Sequence, residues 1–319
     1  MNRHLRHLEQ GIPVALPTDE EGFTGRQCPN PECQGYFLIK FGTGLPGDDV
    51  PCRCPYCGYT ADHDEFLTAQ QEKHIESIAL REIEKALTGV FKDLGCDISR
   101  HSKGGFIQLR LEYKGHPRSV HYYVEPALET TVVCEQCTLQ YKIFGVFAFC
   151  PDCGIHNSLQ TLKRNLSIVE KMLETAKQSD DKEFADYLIQ SALNQSVAAF
   201  DGFGRETCRI HAAKATEPAK ADNISFQNLS RANDRVYQLF GFQISHHLNA
   251  DDWVFTIRCF EKRHLLAHKM GVIDQSYIEH TGDLDVILGR KIRCSVDEVE
   301  RLIQSLAALG NYLVTSLLA

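Results

Sequence analysis

No stretch of this 319-residue chain approaches the ~20 consecutive apolar residues that a bilayer-spanning helix needs, so no membrane partner is expected. An excess of positive charge is also missing. Lys and Arg number 34 against 42 Asp and Glu, a net charge of −8. That argues against a protein that coats nucleic acid non-specifically, while leaving room for a local basic site. The opening MNRHLRHLEQGIPVALPTDEEG is basic but has no long apolar segment and no small-residue cleavage site, so no signal peptide is expected. The thirteen cysteines do not make the even framework of a secreted disulfide scaffold. Eight fall into four close pairs flanked by Pro and Gly, which suits metal binding and a reducing, cytoplasmic location.

The length exceeds one typical core, so two or more domains are expected. The cysteine pairs define two of them. CPNPEC (28–33) is followed after a 20-residue spacer by CPYCG (54–58), and CEQC (134–137) after 12 residues by CPDCG (150–154). Each repeat brings two cysteine knuckles to one ion, and four thiolates suit tetrahedral Zn²⁺. Two structural zinc ions are therefore expected, one on Cys28, Cys33, Cys54 and Cys57 and the other on Cys134, Cys137, Cys150 and Cys153. The first knuckle has four residues between its cysteines instead of two, and Cys52 lies close enough to replace Cys54. Gly after the second cysteine of a knuckle supplies a positive φ where the turn needs one. Neither ribbon has room for a large core, so metal would supply much of its folding energy. The solitary Cys96, Cys208, Cys259 and Cys294 are expected to be buried free thiols.

Between the ribbons, residues 64–94 carry Ile75, Ile78, Ala79, Ile83, Ala86, Leu87 and Val90 at helical spacing. A three-stranded meander is expected next, with FIQLRLEY (106–113) alternating apolar and polar between Gly-rich turns. Across 97–124, Arg100, Lys103, Arg110, Lys114 and Arg118 face only Asp97 and Glu112. This basic patch is either a solvated sheet face or a phosphate-contacting surface.

Beyond residue 159, five long segments read as helices and strand-like runs are few. Expected caps are Ser225, then Asn249 or Asp251, and Ser295 with Glu298 as a capping box. A non-helical turn is expected over 281–294. The fold class is therefore α+β and multidomain: zinc ribbon 1 at 21–62, helix plus meander at 63–126, zinc ribbon 2 at 127–158 and a helical bundle at 159–319.

The segment RHLLAH (263–268) carries Arg263, His264 and His268 late in one of these helices. Phe255, Cys259, Leu266 and Met270 form one apolar stripe there, flanked by Trp253, Ile257, Phe260 and Ala267. His264 and His268 are four apart and share a face, while Arg263 lies about 140° from His268 on an ideal helix. Gly271 is placed as the C′ residue, putting His268 in the last turn, where the helix dipole favours a protonated imidazole. A permanent guanidinium beside a histidine able to give and take a proton suits phosphodiester cleavage.

Arg, a polar residue, three more residues and then His, late in a helix of an α-bundle, resembles the signature of HEPN-domain ribonucleases. The continuation HKMGVIDQSYIEHTG, then LGRKI, then SVDEVERLI is similar to that family as well. The resemblance covers 251–306, extends over the bundle from about residue 182, and leaves out the zinc-ribbon half. It implies a metal-independent endoribonuclease that cleaves RNA by attack of the 2′-hydroxyl, giving a 2′,3′-cyclic phosphate and a 5′-hydroxyl. It further implies a homodimer in which two motifs face each other. Arg263 would then bind the scissile phosphate, His268 would serve as acid/base, and His264 would be the polar residue after Arg. Many members have Asn at that place, which leaves the proton roles of His264 and His268 open. The corresponding biology is that of a toxin or antiviral-defence effector, with the ribbon half sensing a trigger, RNA or partner protein. The alternative is a non-catalytic, zinc-dependent scaffold that binds nucleic acid or protein, with the bundle as a dimerising module.

Overall fold

The computed structural model describes residues 4, 8, 11–45, 50–101 and 118–319. It divides into two compact units, Met1–Ile155 and His156–Ala319. The expected meander at 106–113 lies outside the described residues, as do Lys103, Arg110, Lys114 and the side chain of Arg100. Arg118 is described, and its Nε stands 3.4 Å from the Glu84 carboxylate.

In the N-terminal unit the two ribbons share one sheet. Strands β1 (Thr24–Gln27) and β2 (Tyr36–Ile39) come from the first ribbon. The short pair β3 (Cys52–Arg53) and β4 (Thr60–Ala61) completes that ribbon. Strands β5 (Thr130–Val133) and β6 (Gln140–Ile143) come from the second. The antiparallel order is β1-β2-β6-β5, with Leu38 opposite Lys142 and Ile39 opposite Tyr141 at the join. Hydrogen bonds also link the knuckle loops, Arg53 N–H to Pro151 O at 2.8 Å and Phe149 N–H to Pro55 O at 2.8 Å. One buried cluster therefore holds Phe37, Ile39, Phe66, Tyr141 and Ile143 together with cysteines of both ribbons.

Helix α1 (Ala69–His101) starts and ends later than the 64–94 expected from periodicity. Residues 63–66 instead form a 3-10 turn that buries Phe66. The expected apolar stripe is not its buried face: Ile83 and Leu87 are 40% and 38% exposed, and of that stripe only Ala86 is buried. The side chains that anchor the helix are polar. Gln71 Nε2 donates to Gly25 O at 2.8 Å and to Glu125 Oε1 at 3.2 Å. Glu125 also accepts from Gly25 N–H at 2.8 Å and from the Tyr36 hydroxyl at 2.6 Å. A buried carboxylate is tolerated because its oxygens are satisfied. Burial, reinforced by this carboxylate, pushes the Tyr36 phenol well above its ordinary range.

The C-terminal unit is helical. Helices α2 (Ser158–Gln178) and α3 (Lys182–Ile210) are joined by residues 179–181, with Asp181 capping α3 through Glu183 N–H and Phe184 N–H. They pack with α7 (Val296–Leu318), burying Leu162, Leu166, Phe200, Phe203, Leu306 and Leu309. Each such side chain contributes ~1.5–3 kcal/mol of burial. Between them run α4 (Leu229–Phe240), α5 (Ala250–His268) and the short α6 (Gln275–Thr281). The expected caps hold at Asn249, which accepts from Asp252 N–H, and at Ser295 with Glu298, a reciprocal capping box. The cap before α4 is Asn228 and not Ser225, because residues 225–227 remain extended or turned. From Gly282 to Ser295 the chain has no helix, as expected, and is pinned by Ile273 N–H to Arg290 O and Ile292 N–H to Gly271 O. Among the described residues no helix is long and apolar enough to cross a membrane.

All four knuckles turn on a left-handed residue directly after their second cysteine: Gln34 (φ 47), Gly58 (φ 75), Thr138 (φ 65) and Gly154 (φ 71). Left-handed backbone costs a side-chain-bearing residue ~1–2 kcal/mol, which Gly avoids. At Gly154 a Cβ would also lie 2.7 Å from Arg53 Nε. Gly154→Thr should therefore lower the stability of this unit by ~1–2 kcal/mol or more. Thr138→Gly should be near neutral, since relief of strain offsets the entropy of an added glycine. Thermal unfolding of the metal-loaded protein measures both.

Candidate functional site

The eight paired cysteines converge into two groups whose sulfurs all lie within 4.8 Å of one another: Cys28, Cys33, Cys54, Cys57 and Cys134, Cys137, Cys150, Cys153. The nearest separations are 3.6 Å (Cys28–Cys57), 3.7 Å (Cys33–Cys54), 3.6 Å (Cys134–Cys153) and 3.4 Å (Cys137–Cys150). A disulfide requires about 2.05 Å, whereas four sulfurs ~2.3 Å from a tetrahedral ion are ~3.8 Å apart. The donor sets therefore fit a metal ion each, and all the cysteines are free. Cys54, not Cys52, belongs to the first group. Cys52 is buried on β3, and burial pushes its thiol up to about 12. Cys208 and Cys259 are buried thiols as expected, each pushed up to about 12. Cys96 and Cys294 depart from expectation, the first exposed on α1 and the second half-buried.

In the helical unit, α5 sets the position of RHLLAH. Its buried face is Thr256, Cys259, Phe260, Lys262 and Leu265. Of the stripes expected from spacing, Cys259 and Phe260 are buried and Trp253, Phe255 and Leu266 pack against the core, whereas Ala267 is exposed and Met270, beyond the end of the helix, is 83% exposed. Lys262, absent from those stripes, turns inward. Its ammonium donates to Glu298 Oε1 at 2.6 Å and to Arg293 O at 3.0 Å, tying α5 to the start of α7. With Lys262 held, Arg263 is rotated about 100° around the helix and His264 another 100°. The helix ends at His268. Met270 (φ 54) as well as Gly271 (φ 78) is left-handed, so the chain reverses one residue earlier than a Gly271 C′ position implies.

Arg263 and His264 line a cavity of about 710 Å³. Its other walls come from the one-turn helix Pro218–Ala221 with Lys220, the 223–228 loop, Arg231 and Arg235 of α4, and Ser276 and His280 of α6. Ile224, Leu239 and Phe260 form an apolar floor, and Glu261 is the single carboxylate. His268 does not line this cavity. It is exposed one turn farther along α5, its ring 4.8 Å from the ring of His264 and tilted by 51°. The structure thus brings His264 together with Arg263 on the cavity and His264 together with His268 beside it, as one helix face must. Arg231, Arg235, Lys220 and His280 were missed in the sequence. The available signal was the pair Arg231 and Arg235, four apart on a helix that is otherwise amphipathic.

The loop that closes the cavity is anchored from α3. Asp201 Oδ1 accepts from Phe226 N–H at 2.6 Å and from Arg205 Nε at 3.0 Å, and lies 3.4 Å from the Ser225 hydroxyl. Ser225, expected as a cap, is a member of this network instead. Phe226 packs on Gly204, where a Cβ would lie 2.5 Å from its ring.

Comparison of the chain with family models, with curated proteins and with solved structures finds no match in any of the three.

Asp201→Ala would strip a buried N–H of its acceptor, which costs ~1–3 kcal/mol. It should speed amide exchange at Phe226 and loosen the cavity wall. Asp201→Asn keeps an acceptor oxygen and should be milder; equal exchange rates in both variants would remove Asp201 as the anchor.

Proposed function

We propose that this chain is a metal-independent endoribonuclease of HEPN type, with zinc as the structural ion of both four-cysteine clusters. The observation that carries the reading is a guanidinium and an imidazole, Arg263 and His264, opening together onto a cation-lined cavity in a helical bundle. The guanidinium fork suits a phosphodiester, and a fixed positive charge stabilises the charge that builds as the phosphorus becomes five-coordinate. In the proposed reaction the ribose 2′-oxygen attacks phosphorus. The 2′-O–P bond forms as the P–5′-O bond breaks, leaving a 2′,3′-cyclic phosphate and a 5′-hydroxyl. One imidazole takes the 2′-hydroxyl proton and another donates a proton to the leaving oxygen. His264 and His268 are the two imidazoles at hand, and which takes which role is left open by their shared face.

His268 does not itself line the cavity, so a homodimer in which RHLLAH motifs of two copies face each other would complete the proposed site. The ribbon half is proposed to recognise a trigger, RNA or regulatory protein. Its metal sets and reduced thiols suit the cytoplasm, and a toxin or antiviral-defence role is consistent with that arrangement. The same exclusion of His268 favours a second reading, a zinc-dependent scaffold that binds nucleic acid or protein without cleaving it.

Cleavage assays with no added divalent metal separate the two. His268→Ala should lose a factor of ~10² to 10⁴ while retaining its fold, because the side chain is exposed. Arg263→Ala should lose as much, and Arg263→Lys should recover little, since an ammonium cannot reproduce the fork. His264→Asn should be milder. Products should end in cyclic phosphate. Wild-type protein that binds RNA without cutting it would establish the scaffold instead, and a His268→Ala variant that cuts at the wild-type rate would remove His268 from the proposed site.

Metal analysis of protein purified without chelator should return two zinc ions per chain. Cys57→Ser and Cys153→Ser should each lose one ion and unfold the ribbon region, since zinc contributes ~10–16 kcal/mol in small cysteine-rich modules. Fewer than one ion per chain would overturn the assignment.

A further inference from the structure

The cavity has a second charged wall that the proposed chemistry at Arg263 and His264 does not use. Arg231 and Arg235 stand one turn apart on the same face of α4, both exposed, and Lys220 joins them from the one-turn helix before it, its ammonium paired with Glu217 at 2.7 Å. Neither arginine forms an ion pair among the described residues. Elsewhere in the same unit the chain supplies partners: Arg205 to Asp201, Arg209 to Glu206, Arg258 to Asp283 and Arg301 to Asp252. Like charges four apart on a helix repel, and a chain of net charge −8 has carboxylates to spare, yet only Glu261 lines this cavity. At the start of α4 Asn228 Oδ1 accepts from Arg231 N–H at 2.9 Å, and the full charges offered to a ligand are those of the side chains. A ligand that relieves this repulsion is a multiple anion. Guanidinium forks match the oxygens of phosphates.

The dimensions narrow the ligand further. A volume of about 710 Å³ lies within the size range of small-molecule pockets and is too small for a duplex. The floor of Ile224, Leu239 and Phe260 suits the apolar faces of a sugar or base. We propose that Arg231 and Arg235, with Lys220, are a phosphate-binding subsite for single-stranded RNA, holding the phosphate next to the one at Arg263. This rests on the ribonuclease reading for its orientation. Its chemistry, binding of neighbouring strand phosphates, is measured without cleavage.

The test uses the full chain and a fluorescent single-stranded RNA of about twelve nucleotides with every ribose 2′-O-methylated, which cannot be cut. Binding is followed by anisotropy over a range of KCl for wild type and for the Arg231→Gln/Arg235→Gln variant. The variant should bind about tenfold or more weakly. Its slope of log affinity against log salt should fall by about 1.4, since each single-strand phosphate contact contributes ~0.7. On cleavable RNA, KM should rise with kcat held. Unchanged affinity and slope would overturn the subsite even if the protein cuts RNA. Weakened binding in the variant of a protein that never cuts RNA would sustain the subsite and sink the ribonuclease reading alone. Displacement of the strand by adenosine 3′-monophosphate at concentrations matching the strand's own affinity would assign the pocket to a free nucleotide and overturn the strand assignment.

Discussion

Four sulfurs within 4.8 Å of one another, twice over, is the constraint on which the N-terminal unit depends. Thiolates so close repel unless a cation sits among them, and the surrounding core is too small to hold them otherwise. The buried cluster of that unit consists in large part of the cysteines themselves, with Phe37, Phe66 and Tyr141 packed around them. Everything local follows from bringing the sulfurs together. Each knuckle must reverse within a few residues, and each does so on a left-handed residue after its second cysteine. The strands leaving the knuckles then pair, and because β2 and β6 are adjacent, the two ribbons become one sheet.

The helical unit solves a different problem. Its core of Leu, Val and Phe from α2, α3 and α7 is large enough to stand without metal, and that leaves its polar groups available for positioning. Two buried charges carry that task. Lys262 locks the rotation of α5 through Glu298 and Arg293, and Asp201 holds the 223–228 loop through Phe226 and Arg205. Breaking either would leave an unpaired charge or an unpaired N–H in the interior, so both act as strong geometric restraints. The cavity between α4, α5 and α6 owes its shape to those restraints and its character to Arg231, Arg235 and Arg263, which form no ion pair among the described residues. Neighbouring guanidinium groups without carboxylate partners repel one another, a cost that binding an anion would offset.

The likeness of RHLLAH to a ribonuclease motif and the position of that motif are separate arguments. The first rests on residue types at fixed spacing. The second rests on Arg263 and His264 sharing a cavity while His268 lies a turn beyond it on the same helix. A site that uses all three residues therefore needs a bend, long side-chain reach or a second subunit.

The sequence alone determined the four cysteine knuckles, the helical character of the second half and the capping box at Ser295, because each is written in spacing of a few residues. Cysteine pairs, capping boxes and 3.6-residue periodicity are local, and local chemistry decides them. Tertiary structure alone decided the rest. The choice of Cys54 over Cys52 depends on which sulfur reaches partners some twenty residues away along the chain. The buried face of α1 depends on Glu125 and the sheet, which is why Gln71 is anchored and Ile83 exposed, against what periodicity predicts. The inward turn of Lys262, a charged residue on the buried face of α5, depends on Glu298 of α7. The meeting of Arg231, Arg235 and Lys220 with Arg263 depends on packing that joins residues more than twenty-five positions apart along the chain. Charge carries no periodic signature of a distant partner, so a cavity assembled from separate helices is legible only once they are packed.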